Sequence, residues 1–204
     1  AALNPEHVSA YLLKCEEGTP FYRRYPNGKG LPTEEEQAEF YLMTCEFLAK
    51  NGYWQEEISN FAKPGKESVH NQKYWTLTPY LGLGPGAYSD FGGKRFYFPA
   101  DTKAFCQAAK AGNITSLLEI EDETPNRLEE TVFLALRTGN GLTRSALCDV
   151  SKDGNALFDK IAKALKPYTE KGLVHENGEA IRLTSAGFLL ANALMTEALL
   201  AMGQ

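Results

Sequence analysis

The stretch 33–52 constrains the fold more than any other part of this sequence. Thr33 followed by Glu36 has capping-box spacing, in which a hydroxyl and a carboxylate reciprocally satisfy the free amides of a helix start. Ala38, Tyr41, Leu42, Cys45, Leu48 and Ala49 then recur at helical spacing up to Gly52. Ahead of this helix, His7-Val8-Ser9-Ala10-Tyr11-Leu12-Leu13 has the character of a buried strand, ending in a loop rich in Gly18, Pro20, Asn27, Gly28 and Pro32. Behind it, short strands are predicted over 57–60 and 80–83, with an irregular segment through His70 between them. Strand, helix, strand predicts a parallel α/β unit. In such sheets ligands sit beyond the carboxyl ends of the strands, so residues 14–17, 60–62 and 84–89 are expected to line one mouth.

After Lys94-Arg95-Phe96-Tyr97-Phe98 the pattern turns helical, over 101–111, over 124–138 with Pro125 in the first turn, near Thr143, and over 154–171. Leu173-Val174-His175-Glu176, the turn Asn177-Gly178 and Ala180-Ile181-Arg182-Leu183 form a hairpin signal ahead of a helix from Thr184. Two domains are therefore expected, 1–100 and 101–204, the second mainly helical and winged-helix-like. That shape raises DNA binding, but over 151–183 Lys152, Lys160, Lys163, Lys166, Lys171 and Arg182 are nearly balanced by Asp153, Asp159, Glu170, Glu176 and Glu179. A face that reads nucleic acid needs a basic surplus.

The 204 residues carry a formal charge of -5, with 43% apolar and 23% charged residues, an ordinary composition for a globular protein. Nucleic acid is an unexpected partner for it. Cys15, Cys45, Cys106 and Cys148 are far apart, with none of the tight C-x2-C or C-x3-C pairs from which zinc and iron-sulfur sites draw ligands. They read as buried structural thiols in apolar surroundings. No apolar run approaches the roughly 18 residues that span a bilayer; the stretch 188–202 is broken by Asn192, Thr196 and Glu197. With no basic-then-apolar leader, a reduced cytoplasmic protein is expected. The chain starts without Met and leads through Asn4-Pro5-Glu6 straight into a strand, so it reads as the middle of something longer.

Two segments have the residue types for ligand chemistry. Gly82-Leu83-Gly84-Pro85-Gly86-Ala87 lacks the third glycine of a dinucleotide loop at position 87. Pro85 also removes a donor that a phosphate cradle would use. Close backbone approach to another ligand, or a tight turn, is the reading. His70-Asn71-Gln72-Lys73-Tyr74-Trp75 concentrates an imidazole, an amide and two large aromatics. From residue types alone this is either a structural histidine with packing aromatics or a haem site, with His70 as the axial ligand and Tyr74 and Trp75 as stacking walls.

Taken together, His7-Val8-Ser9-Ala10-Tyr11, Glu57-Ile58-Ser59-Asn60-Phe61-Ala62-Lys63-Pro64-Gly65, His70-Asn71-Gln72-Lys73-Tyr74-Trp75 and Tyr80-Leu81-Gly82-Leu83-Gly84-Pro85-Gly86-Ala87 resemble the oxygen-independent coproporphyrinogen III oxidase (HemN/HemW) family of radical SAM proteins. Order and spacing match, and Arg182-Leu183-Thr184-Ser185-Ala186-Gly187 resembles the family's C-terminal domain. Within the family the chain is more similar to the haem-chaperone branch than to true oxidases, which tend to read D-H-F-A at 59–62 and N-F-Q-G-Y at 70–74.

The resemblance implies an α/β fold: the C-terminal part of a partial (β/α)6 barrel over 1–100, then a helical domain over 101–204. It implies that the barrel's other half carries C-x3-C-x2-C holding a [4Fe-4S] cluster that cleaves S-adenosylmethionine to a radical. Those ligands are absent from this sequence, so the chain alone is expected to be catalytically silent. It implies haem or a porphyrin as ligand, with His70 as the proposed iron ligand, and the other barrel half as a partner. By position, Lys14, Tyr88 and Gly84 would lie by S-adenosylmethionine, although chaperone-branch chains commonly have Thr near the first and His at the second. Glu56 likewise stands where Tyr is frequent. Oxidative decarboxylation of coproporphyrinogen propionates and a stand-alone binding module are the other readings. An open half-barrel would expose an apolar edge, so self-association is expected.

Overall fold

A computed structural model describes residues 3–203. Strand β1 (His7–Ser9) is followed by a loop, the short helix α1 (Pro20–Arg24) and the long helix α2 (Glu34–Lys50). The capping box forms as the sequence predicts: Glu36 N–H donates to Thr33 Oγ1 at 3.2 Å and Thr33 N–H to Glu36 Oε2 at 2.8 Å. Strands β2 (Trp54–Gln55) and β3 (Asn60–Ala62) follow, then helix α3 (Val69–Trp75).

The first sheet has the order β1-β3-β2, with β3 antiparallel to both neighbours. The expected parallel pairing is therefore corrected. β1 and β2 do run in one direction on either side of the α1–α2 connection, but β2 hairpins into β3, which slots between them. β1 also ends sooner than its apolar run, because β3 is only three residues long and the last rung is Ala10 N–H to the Ser59 carbonyl at 2.8 Å. Beyond it Tyr11 and Leu13 have no ladder partner and are 74% and 59% exposed.

The second sheet joins β4 (Tyr88–Phe91), β5 (Lys94–Tyr97) and β6 (Glu119–Asp122) as antiparallel neighbours. Helix α4 (Thr102–Lys110) lies between β5 and β6 in the chain. Residues 80–83 form no strand; only Tyr80 bridges to Asp90, because the glycine run bends the chain at once.

The remainder is helix α5 (Arg127–Ala135), strand β7 (Leu142–Thr143), helices α6 (Arg144–Val150) and α7 (Gly154–Glu170), strands β8 (Val174–Glu176) and β9 (Ala180–Leu183), and helices α8 (Ser185–Phe188) and α9 (Ala191–Met202). With the sheet ordered β7-β9-β8, this is the winged-helix order the sequence suggests. Gly178, at φ +83°, takes the left-handed turn position of the β8–β9 hairpin. Val132, Leu147, Phe158, Ile161, Ile181 and Met195 are fully buried here. The same core extends to Tyr41 and Leu48 of α2 and Phe61 of β3, so the winged-helix-like part and the first sheet share one apolar centre. No described helix is long and apolar enough to cross a membrane.

The cysteines differ from expectation. Cys45 is buried on α2, but Cys15 is half-buried and Cys106 and Cys148 are exposed. Cys106 precedes the buried Ala108 by two positions, about 200° around the helix, and Cys148 follows the buried Leu147 by one, so apolar neighbours in sequence did not place them on an apolar face. All four thiols are free.

Candidate functional site

His70 lies on α3 and not in an irregular segment. Ser68 caps the helix, its Oγ accepting the Asn71 N–H at 3.4 Å. Spacing of four residues then puts His70 and Tyr74 on one face. Tyr74 Oη lies 3.0 Å from His70 Nε2, with the two rings edge-to-face at 5.2 Å. Tyr74 in turn meets Tyr80 edge-on at 4.8 Å. Burial raises the pKa of the Tyr80 phenol, opposed in part by Arg95.

Opposite the helix, Tyr80 is held by a pair of backbone hydrogen bonds with Asp90, and the chain between Leu81 and Ala87 folds back over β4. Gly82 is the glycine this fold requires: a Cβ there would lie 2.2 Å from the Tyr88 carbonyl oxygen, and its N–H donates to Ser89 Oγ at 3.0 Å. The close approach predicted for this segment is thus to its own backbone, at a tight turn. Gly84, at φ +107°, serves the same turn with open space around it. Tyr88 stacks on Tyr97 at 4.9 Å and 19° between planes.

These elements border an open hollow of about 410 Å³ lined by His70, Tyr74, Tyr80, Leu83, Ala87 and Tyr88 among others. A histidine nitrogen and three phenols, with a leucine beside them, suit a flat, largely apolar ring system carrying a metal. The structure thus brings His70, Tyr74 and Tyr88 together, next to the turn that contains Gly84. Trp75 lies apart. Five positions from His70, it lines a second hollow of about 380 Å³ with Gln72, Arg127, Thr131 and Asp149, and Arg137 sits over its ring at 5.9 Å. Lys14 is also separate, 80% exposed and paired with Glu16 at 2.7 Å. None of the hollows described here is lined by all three of the segments 14–17, 60–62 and 84–89, so the single mouth expected of a parallel sheet is corrected. Asn60–Ala62 is instead the buried centre of the first sheet.

Tyr80 is the wall residue that sequence reading missed, having been assigned to a strand. Also missed is an ion network beside the site. Asp90 accepts from Arg127 and, at 3.1 Å, from Arg95, and both guanidinium groups reach Glu130, at 2.9 and 2.8 Å. The motif residues 57–60 prove to be internal ties: Glu57 Oε1 accepts the Ser59 N–H and the Asn60 side-chain amide, and Asn60 Oδ1 accepts Ser9 Oγ–H at 2.6 Å. Among the described residues no group of three or more His, Cys, Asp or Glu side chains could hold a metal ion, so the residues present do not fit an iron-sulfur cluster.

Residues 123–190 match the family model of the HemN C-terminal domain. Across 94% of its length the chain is 35% identical to the heme chaperone HemW of Bacillus subtilis (strain 168), covering 50% of that protein. It is 32% identical to HemW of Lactococcus lactis subsp. lactis (strain IL1403), over 95% of this chain and 50% of that one. Over nearly its whole length the chain is similar to members of the HemN/HemW family. It spans about half the length of the curated relatives it matches, corresponding to their C-terminal half. Its fold matches the solved structure of coproporphyrinogen III oxidase (HemN) from Escherichia coli, described as a radical SAM enzyme, with a TM-score of 0.64 at 20% identity. That match takes in 97% of this chain and 48% of the oxidase. The α/β reading, as the C-terminal part of that fold with no closed barrel among the described residues, therefore holds.

Proposed function

We propose that this chain is the C-terminal part of a radical SAM protein of haem metabolism, and that the hollow between α3 and the 80–88 turn receives haem. The observation that carries this reading is the convergence of His70, Tyr74, Tyr80 and Tyr88 on one hollow from two separate segments. His70 supplies the iron ligand. Tyr80 and Tyr88 offer ring faces and phenol tips to the macrocycle, and Leu83, 92% exposed on the turn, is free to cover its edge. Trp75 contributes from behind the helix and not as a wall.

In this reading the intact protein hands haem on, and its cluster and most of its S-adenosylmethionine site belong to the half of the fold that this chain does not span. On this reading Tyr88, which lines the hollow, and Gly84, on the turn beside it, would meet a ligand shared with that half, whereas Lys14 stands apart from the hollow. A cytoplasmic setting fits free thiols and the absence of a membrane-crossing helix among the described residues.

Hemin titration of the wild type and of His70→Ala tests the assignment. The wild type is expected to give a saturable Soret shift that His70→Ala loses or displaces in wavelength; identical spectra and affinity would remove His70 as ligand.

A further inference from the structure

The helix that carries His70 has little of its own to hold it in place. α3 is seven residues long and none of its side chains is buried. Helices this short have no stability without tertiary support. At its second turn the contacts are aromatic and partly exposed, Tyr74 on Tyr80 and Arg137 over Trp75.

The first turn is seated differently. Beneath it lies the Glu56 carboxylate, 3% exposed. Glu56 Oε1 accepts the backbone N–H of Ser68 at 2.7 Å and the Gln72 side-chain amide at 3.2 Å, while Oε2 meets His7 Nε2 at 2.9 Å. The Glu56 backbone is itself fixed, its N–H donating to the Asn60 carbonyl at 2.8 Å and its own carbonyl accepting the Gly139 N–H at 2.7 Å. One carboxylate thus joins β1, the β2–β3 turn and the start of α3. A buried carboxylate is costly unless its lone pairs are met, and here three donors, one from β1 and two from the start of α3, meet it.

We infer that Glu56 is a positioning residue for the His70 site: by holding the first turn of α3 against β1 and the β2–β3 turn, it sets where His70 and Tyr74 face the 80–88 turn. For its ligand this rests on the haem reading above; for the seating of the helix it does not. Three features separate this role from general core stability. The carboxylate touches α3 at two points, the helix has no buried side chain to substitute for it, and His70 lies two residues beyond the Ser68 amide it holds.

The test is hydrogen exchange on ligand-free protein, read on peptides covering α3 and, as a control, α7 and α9, together with hemin titration. Glu56→Ala is expected to speed exchange in α3 about tenfold, as loss of a buried acceptor from two donors should, while leaving α7 and α9 unchanged. Hemin affinity should fall in step. Glu56→Gln keeps an oxygen for the Ser68 N–H and should restore most of both. Should Glu56→Ala fail to fold, Gln72→Met, which removes only one donor on α3, should still speed exchange there selectively. Exchange in α3 that matches wild type in whichever of these variants folds overturns the proposal. Absence of hemin binding by the wild type would sink the haem reading instead, and the exchange contrast would then decide the role of Glu56 alone.

Discussion

Arg127, at the start of α5, grips Asp90 of β4 with both guanidinium nitrogens, Nη1 donating to Oδ2 at 2.7 Å and Nη2 to Oδ1. Asp90 is nearly buried, and Arg127, with Arg95 beside it, holds its carboxyl below the usual carboxylate range against the cost of burial. The pair ties the hairpin that carries Tyr88 to the winged-helix-like part. A group with a depressed folded-state pKa stabilises fully above its unfolded value, about 3.9, and loses that contribution as pH falls through the folded value. Asp90→Asn should therefore cost about 1–3 kcal/mol at pH 7. By urea titration the difference from wild type should narrow below about pH 4. A gap that stayed constant down to pH 3 would mean that the charge of Asp90 is not what matters.

Cys45 and Cys106 make a second test. Burial pushes the Cys45 thiol up, with Ser185 and Tyr41 opposing, and the thiolate is the reactive form. Cys106 and Cys148 lie in the open. Mass-resolved alkylation of the native protein should label Cys106 and Cys148 first, Cys15 more slowly, and Cys45 only on unfolding. Early labelling of Cys45 would contradict its burial on α2.

How much of this was legible beforehand depended on whether the signal was local. The Thr33–Glu36 cap and the Asn177–Gly178 turn announce themselves within a few residues, so α2 and the wing were readable. The His70-to-Trp75 segment pointed to a site, but its helix was not evident, because its cap is a lone Ser68 and its seat, Glu56, is twelve residues away. Without the helix, Trp75 could not be separated from Tyr74. Asp90 and Arg127 lie 37 residues apart, and nothing in either neighbourhood calls for the other. The parallel pairing failed for a related reason: alternation of strand and helix fixes the direction of β1 and β2 but says nothing of a hairpin strand inserted between them.

Tyr74 and His70 yield a prediction about the ligand itself. Nε2 is engaged by the Tyr74 phenol, which must swing away before that nitrogen can meet iron. A hydrogen bond of this kind contributes about 0.5–1.5 kcal/mol. Tyr74→Phe keeps the ring against Tyr80 and frees the imidazole, so hemin should bind up to about tenfold more tightly with an unchanged Soret maximum. Weaker binding would show that the phenol orients His70 or itself contacts the haem.

The last prediction concerns the surface beyond β1. Tyr11, Leu13, Met43 and Phe47 are all more than half exposed. Between the 10–13 segment and the outward face of α2 lies a hollow of about 240 Å³ that also takes in Leu31, Pro32 and Phe40. Contiguous apolar surface of this kind marks a face that another surface covers. On the function proposed above, the other half of the fold would cover this surface in the intact protein, and in the chain by itself a second copy would be the substitute. Light scattering on this chain should therefore show association that rises with concentration, and Leu13→Glu combined with Met43→Glu should return it to a monomer without lowering its melting temperature, since neither side chain is in the core. A wild-type chain that stays monomeric at high concentration would mean that this face is tolerably solvated as it stands and would remove the reason for assigning it a partner.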